Sequence, residues 1–155
     1  MPKKAILIFL LVCAVGAFPL YSGTVSFLII EAGLPEEGPA SQQSIMWENS
    51  LMDIFFEFGH IVSNSPIMRL PYIPEAGFPD EAEGDFESAR EGGMDYFLIA
   101  VVQHPSPHNV SLRLFRISSQ EMLLEHKYAD RTYRTKKEEL DAVKDNIIVL
   151  ARRIR

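Results

Sequence analysis

The chain has a single cysteine, Cys13, and it lies inside an apolar run close to the amino terminus. If that run is removed, no thiol remains, which excludes a disulfide framework, a cysteine nucleophile and a thiolate metal site. Positive charge is also scarce, with 15 Lys and Arg against 21 Asp and Glu and a net charge of −6. Nucleic acids and anionic lipid both demand a basic footprint, so neither is expected as a generic partner. No apolar stretch reaches the roughly 20 residues needed to cross a bilayer. The sequence lacks G-x-S-x-G, the strained elbow that exposes a serine nucleophile. It also lacks a glycine loop leading into a helix, the arrangement that cradles phosphate; Gly92-Gly93 precedes a strand instead.

What the amino terminus does contain is an export signal in its usual order. Lys3 and Lys4 carry the positive charge, and an unbroken apolar run from Ala5 to Ala17 follows, ending in small residues before Phe18-Pro19. A charged start, a short apolar core and a small-residue exit describe a secretory leader. Residues 1–17 are therefore expected to be cleaved, after Ala17 or alternatively after Gly16, leaving one domain over 18–155 in the periplasm or outside the cell. Losing Lys3 and Lys4 takes the 15 basic groups to 13 against 21 acidic ones, a net charge of −8. Leu10-Leu11-Val12-Cys13 also has the outline of a lipoprotein box. Val12 is bulkier than the small residue that normally precedes the acylated cysteine, so anchoring through Cys13 is the alternative localisation. Membrane contact is expected only if Cys13 carries a lipid.

The remaining chain reads as a mixed α/β domain. Thr24 to Ile30 is β-branched and apolar, and the cluster Gly33, Pro35, Gly38, Pro39 stops it. Ser41 is placed to cap a helix carrying Ile45, Trp47, Leu51, Met52, Ile54, Phe55 and Phe56, with Gly59 as its stop. That breadth of apolar positions predicts a helix covered on more than one side. His60 to Asn64 predicts a second strand. Pro66, Pro71, Pro74 and Pro79 punctuate residues 66–84, which predicts one long loop without regular structure. Asp85 is expected to open a short helix that Gly92-Gly93 ends. Met94 to Val102 is the most apolar run of the domain and predicts a central strand buried on both faces. Its Phe97, Ile99 and Val101 are expected to meet Ile147 of the last helix. Val110, Leu112 and Leu114 alternate with Ser111, Arg113 and Arg116, as a half-exposed strand would. Ser118 to Glu121 then turns into a partner strand over Met122 to Tyr128. Leu140, Val143, Ile147, Leu150 and Ile154 recur at spacings of three and four, predicting a helix over 136–155. The order is β-α-β-α-β-β-β-α, a single mixed sheet of about five strands packed by two long helices and one short one.

Chemistry is thin. His104 and His108 are four apart, but Pro105 and Pro107 forbid the helix that would turn them into a metal pair. Asp80, Glu81, Glu83, Asp85 and Glu87 cluster without the alternating oxygen ligands and central glycine of a calcium loop. His60 follows a helix-ending glycine, where a cation eases the helix dipole. No catalytic residue, cofactor or metal ligand is assigned. An enzyme, hydrolytic or metal-dependent, built on the acidic loop with His104 and His108 is one alternative, and a small-ligand carrier with a pocket beneath the 66–84 loop is another.

The stretch Ser88-Ala89-Arg90-Glu91-Gly92-Gly93-Met94-Asp95-Tyr96-Phe97-Leu98-Ile99-Ala100 resembles the helix–Gly–x–Asp–Tyr–strand signature of TolB amino-terminal-like domains. The pair of strands from Ser111 to Leu123 resembles that family's next hairpin. The same group includes CsgG and the LpoB-type activators. Ile30-Glu31-Ala32-Gly33 departs from the family's first-strand wording, and Ser119-Gln120 replaces its hairpin glycine. The resemblance implies a periplasmic, non-enzymatic domain that docks onto other envelope proteins. No family binding residue maps onto this chain. Apart from the resemblance, the 66–84 loop itself carries Met68, Leu70, Tyr72, Ile73 and Phe78. Apolar side chains on an extended, proline-stiffened segment lose little entropy on docking. These five are therefore the candidate partner-binding residues, with folding back over the sheet as their other use.

Overall fold

A computed structural model describes residues 23–105, 109–128 and 133–154. One mixed sheet of six strands is covered on one face by two long helices and on the other by a short helix and the proline-rich segment. The strands are β1 (Thr24–Ala32), β2 (Ile61–Asn64), β3 (Met68–Leu70), β4 (Tyr96–Gln103), β5 (Val110–Arg116) and β6 (Glu121–Tyr128). The helices are α1 (Gln42–Glu57), α2 (Glu83–Glu91) and α3 (Lys136–Ala151). Along the sheet the order is β2-β1-β4-β5-β6. β2 and β3 lie end to end on the same edge of β1, β2 against Thr24–Phe27 and β3 against Ile30–Ala32. β1 pairs in parallel with β2, β3 and β4, while β4-β5-β6 is an antiparallel meander.

The expected mixed α/β architecture is present, with β4 at the centre and buried along all but its last residue. Three expectations need correction. Residues 66–84 are not without regular structure: β3 forms there, and a 3-10 turn, Asp80–Ala82, leads into α2, which begins at Glu83 rather than Asp85. Leu98, Ala100 and Val102, not Phe97, Ile99 and Val101, share the layer of Ile147. The other three pack with Leu28, Ile30, Phe86 and Phe115 on the opposite face. Strand residues alternate between faces, and a run apolar on both carries no polar residue to show which face is which. Finally, β5 is not half exposed, because Ser111 and Arg113 are as buried as the leucines between them.

Local chemistry sets the ends of the elements. Ser41 Oγ accepts the Ser44 N–H at 3.1 Å, capping α1 as its sequence predicts. Thr135 does the same for α3 through the Glu138 N–H at 3.1 Å. α1 buries Trp47, Leu51, Ile54 and Phe55, but Phe56 points outward and is 77% exposed, so its apolar breadth is not matched by cover. His60 is buried between two helix ends, following α1 and with its Nε2 3.3 Å from the carbonyl of Ala151, the last residue of α3, and its ring edge-on to Phe55. In the β5–β6 turn, Gln120 occupies the left-handed region at φ 53°, where the resembled family has glycine.

Gly33 is where the end of β1 is clamped. Its N–H donates to Leu70 O at 2.8 Å, and the His104 N–H donates to Ala32 O at 2.8 Å beside it. The backbone sits at φ +85°, and a Cβ there would lie 2.6 Å from the His104 carbonyl oxygen. Gly33→Ala is expected to cost about 2 kcal/mol or more, from a left-handed alanine plus a backbone clash. Urea unfolding measures it, and an unchanged midpoint would show that the two strand ends can separate freely.

Candidate functional site

The segment after β3 crosses the second sheet face and is held there by both apolar and ionic contacts. Leu70 is buried beside Ile30 and Ala32, and Met68 is half-buried against the same layer. Phe78 stands edge-on to Phe86 and to Phe115, each at 5.2 Å between ring centroids. Two arginines fix the segment from below. Arg69 Nε lies 3.1 Å from the fully buried Glu31 carboxylate, and its Nη1 donates to Glu37 O at 2.7 Å. Arg113, rising from β5, donates through Nη1 to Gly77 O at 3.0 Å and lies 3.3 Å from Glu125 Oε1. These contacts explain why a sheet face can bury an arginine and a serine: Arg113 meets the loop main chain at Gly77 and the Glu125 carboxylate, and Ser111 donates to Glu125 Oε1 at 3.4 Å.

Glu31 also organises the neighbouring β1–α1 connection. Its Oε1 accepts the N–H of Ser41, the cap of α1, at 2.6 Å. Burial by itself raises this carboxyl's pKa, but hydrogen bonds from Ser41 and Ser44 and the charge of Arg69 outweigh it, leaving it below the usual glutamate range. The sequence reading passed over Glu31 and Arg113 as structural anchors. For Glu31 the available signal was a single charged residue inside an otherwise apolar strand, which in a buried strand must find a partner; Arg113, in a strand that alternates with Ser111 and Arg116, carried no such signal.

Of the five loop residues singled out from sequence, then, Leu70 is part of the core, Met68 and Phe78 are half-buried and pack against it, and Tyr72 and Ile73 are 49% and 52% exposed. Tyr72 donates its hydroxyl hydrogen bond to Glu81 Oε1. That bond raises the tyrosine pKa, with the negative charge of Glu81, Glu36 and Asp80 adding to the shift, and the same bond lowers the pKa of Glu81. Beside Tyr72 opens a pocket of ≈ 250 Å³ whose walls include Pro74, Phe78 and Pro79 together with Glu75, Asp80 and Glu81. The arrangement is a small, mainly polar and acidic depression with the Tyr72 ring in its wall and the exposed Ile73 next in sequence.

Among the described residues no three histidine, cysteine, aspartate or glutamate side chains come together as a metal-binding set. His104 is half-buried, and its Nε2 has no hydrogen-bond partner among those residues. His108 lies outside the described residues. His126 is used between β6 and α3, its Nε2 3.0 Å from Asn146 Oδ1.

No family model matches this chain, and no curated protein matches it. Solved structures do share the arrangement of elements. A PelC dodecamer from Paraburkholderia phytofirmans is similar at 12% identity, over 83% of this chain and 84% of that one, with a TM-score of 0.45. TolB from Acinetobacter baumannii is similar at 12% identity over 84% of this chain but only 28% of its own length, with a TM-score of 0.45. Prolyl-tRNA synthetase from Cryptosporidium parvum gives 12% identity over 83% of this chain and 23% of that one, with a TM-score of 0.39. The likeness is one of fold alone.

Proposed function

We propose that this chain is an exported, non-enzymatic domain of the bacterial envelope that docks a partner protein on its proline-rich loop. The observation carrying this reading is the exposure of Tyr72 and Ile73 on a segment that Leu70, buried in the core, and Phe78, packed against it, hold in place. A main chain held by Arg69, Arg113 and its own prolines gives up little freedom on binding, so contact area at Tyr72 and Ile73 turns efficiently into affinity. Tyrosine is among the residues most enriched at the energetic centre of interfaces. The carboxylates of Glu36, Glu75, Asp80 and Glu81 favour a partner segment that presents Lys or Arg beside an apolar side chain. The leader at residues 1–17 and the resemblance to TolB amino-terminal-like domains support an envelope location for both proteins.

The test is recovery of envelope proteins on the tagged domain and on its Tyr72→Ser/Ile73→Ser variant, with the mass of the recovered bait recorded. Both sites are exposed, so the variant is expected to melt within about 2 °C of wild type, as surface substitutions do. It should lose the partner, and the bait should begin at Phe18. Phe78→Ser, by contrast, empties an aromatic site against Phe86 and Phe115 and is expected to destabilise by about 2 kcal/mol. Partner recovery unaffected by the Tyr72/Ile73 variant would remove the loop as the docking site.

A further inference from the structure

The two edges of the sheet are built differently. One is closed by β2 and β3, four and three residues long, with Pro66 between them. Short strands interrupted by proline are poor templates for a further strand. The other edge is β6, eight residues long, which pairs with β5 and with no other described strand. None of its residues is fully buried. An edge of this length presents a row of main-chain donors and acceptors to an extended segment that can lie beside it.

The side chains of β6 restrict what that segment can be. The register shift at Leu114/Phe115 leaves Leu123 without an opposite residue, so the regular part of the strand is 124–128. On the face covered by α3 stand Leu124, His126 and Tyr128, opposite Leu114, Leu112 and Val110. On the other face stand Glu125 and Lys127, opposite Arg113 and Ser111. Glu125 is held by Arg113 at 3.3 Å and keeps 22% of its side chain exposed. Lys127 is exposed and makes no ion pair among the described residues. A lysine on an edge ordinarily turns an added strand away. Here a carboxylate two residues earlier answers it, provided that the incoming strand is a second copy running the other way.

A two-fold axis perpendicular to the sheet pairs β6 with β6 antiparallel and keeps like faces together. Directly opposite residues in such a pair share a face, so the axis passes at a residue and not between two. With the axis at Glu125 or at Lys127, like charges meet. With the axis at Leu124, Glu125 meets the bulged Leu123 of the second copy. With the axis at His126, Glu125 meets Lys127 of the second copy, Lys127 meets Glu125, and Leu124 meets Tyr128. The polar face of the joined sheets then runs Arg113 and Glu125, followed by Lys127 and Ser111 of the second copy. The helix-covered face runs Leu114 and Leu124, followed by Tyr128 and Val110 of the second copy. Opposite charges stand side by side along the first row, and the second is apolar apart from the tyrosine hydroxyl. Both kinds of facing pair are favourable, whereas like charges directly opposite are not. At the axis the two His126 rings come face to face, each keeping Nε2 3.0 Å from its own Asn146 Oδ1.

From this register we propose that β6 is a dimer interface, two copies of the chain joining edge to edge across His126 into one continuous sheet. Because the axis is perpendicular to the sheet, the two surfaces carrying Tyr72 and Ile73 face the same way. The proposal does not depend on the loop being a docking site.

Sedimentation of the chain as it is recovered from cells should show a species of twice the chain mass that gains population as concentration rises through the micromolar range. Lys127→Glu changes an exposed side chain, so the dilute variant should melt like wild type. It turns both facing charge pairs from attraction to repulsion and should weaken the dimer at least about tenfold. Cysteine substitution reads the register, with Cys13→Ser removing the native thiol. His126→Cys should oxidise to a disulfide between copies, because residues directly opposite in an antiparallel pair have Cα atoms only ~4.5–5.5 Å apart. Glu121→Cys, whose two copies stand at opposite ends of the paired strands, should not. If His126→Cys does not fold, Glu125→Cys mixed with Lys127→Cys should link one protein to the other in its place. Tyr72→Ser/Ile73→Ser should dimerise as wild type does, so this proposal and the loop reading fail separately. A chain that stays monomeric throughout would overturn the proposal. So would a dimer that Lys127→Glu leaves intact, or one that links as readily through Glu121→Cys.

Discussion

Ile147→Asp is expected to abolish cooperative unfolding, leaving a protein without a thermal transition. Ile147 is fully buried on α3, in a layer with Trp47, Leu51, Leu98, Ala100, Leu112 and Leu114. The layer around it is apolar, so a carboxylate there either remains charged in an apolar environment or takes up a proton. Either route, added to the loss of the apolar side chain, costs several kcal/mol. A single domain is stable by only about 5–15 kcal/mol in total. Val149→Asp, two residues on and 53% exposed, is the matched control and is expected to stay within about 0.5 kcal/mol of wild type. Thermal melts followed by near-ultraviolet dichroism separate the two. An Ile147→Asp protein that melts within a few degrees of wild type would mean that α3 presents a different face to the sheet.

Glu31→Gln is the second large effect. The substitution preserves an acceptor for the Ser41 N–H but leaves Arg69, whose side chain is only 13% exposed, without its counter-charge. Removing one partner of a buried pair costs about 3 kcal/mol or more, because the other charge stays desolvated and unpaired. For a domain of this size that is a fall in Tm of roughly 10 °C. A companion change, Arg69→Met, should recover part of the loss, since an apolar pair of similar volume avoids the desolvation altogether.

The pH profile gives an independent check. The folded-state pKa of Glu31 is lower than in the unfolded chain, so its contribution is present above the unfolded pKa. It is lost as pH falls through the folded one. Wild type should therefore lose more stability between neutral and acidic pH than Glu31→Gln does. Equal acid sensitivity in the two proteins would show that the Glu31–Arg69 pair contributes little to holding the proline-rich segment.

Much of the framework can be read locally. β1, β2 and the β5–β6 hairpin follow from β-branched or alternating runs bounded by turn residues. The stops of α1 and α2 follow from Gly59 and Gly93, which adopt φ of 82° and 72°. The candidate site was legible only in part. Its segment stood out because prolines and apolar residues seldom coincide in a solvent loop. Yet Met68, Leu70, Tyr72, Ile73 and Phe78 have no sequence feature that divides covered from exposed. Leu70 is covered because it extends a three-residue strand along β1, and Phe78 because two phenylalanines distant in sequence form its seat. Tyr72 and Ile73 are left out because the turn between those anchors carries them away from the sheet.

The sequence by itself therefore determined the central strand, the cap of α1 at Ser41 and the element order apart from β3. Each depends on residues within one turn or one strand, where backbone sterics and local hydrogen bonds decide the outcome. Only the tertiary structure decided which face of β4 meets Ile147, why Arg113 and Glu31 can be buried, and which loop side chains remain outside. Those outcomes depend on pairings between residues tens of positions apart, such as Arg113 with Gly77 and Arg69 with Glu31, and a buried charge is tolerated only where such a partner arrives.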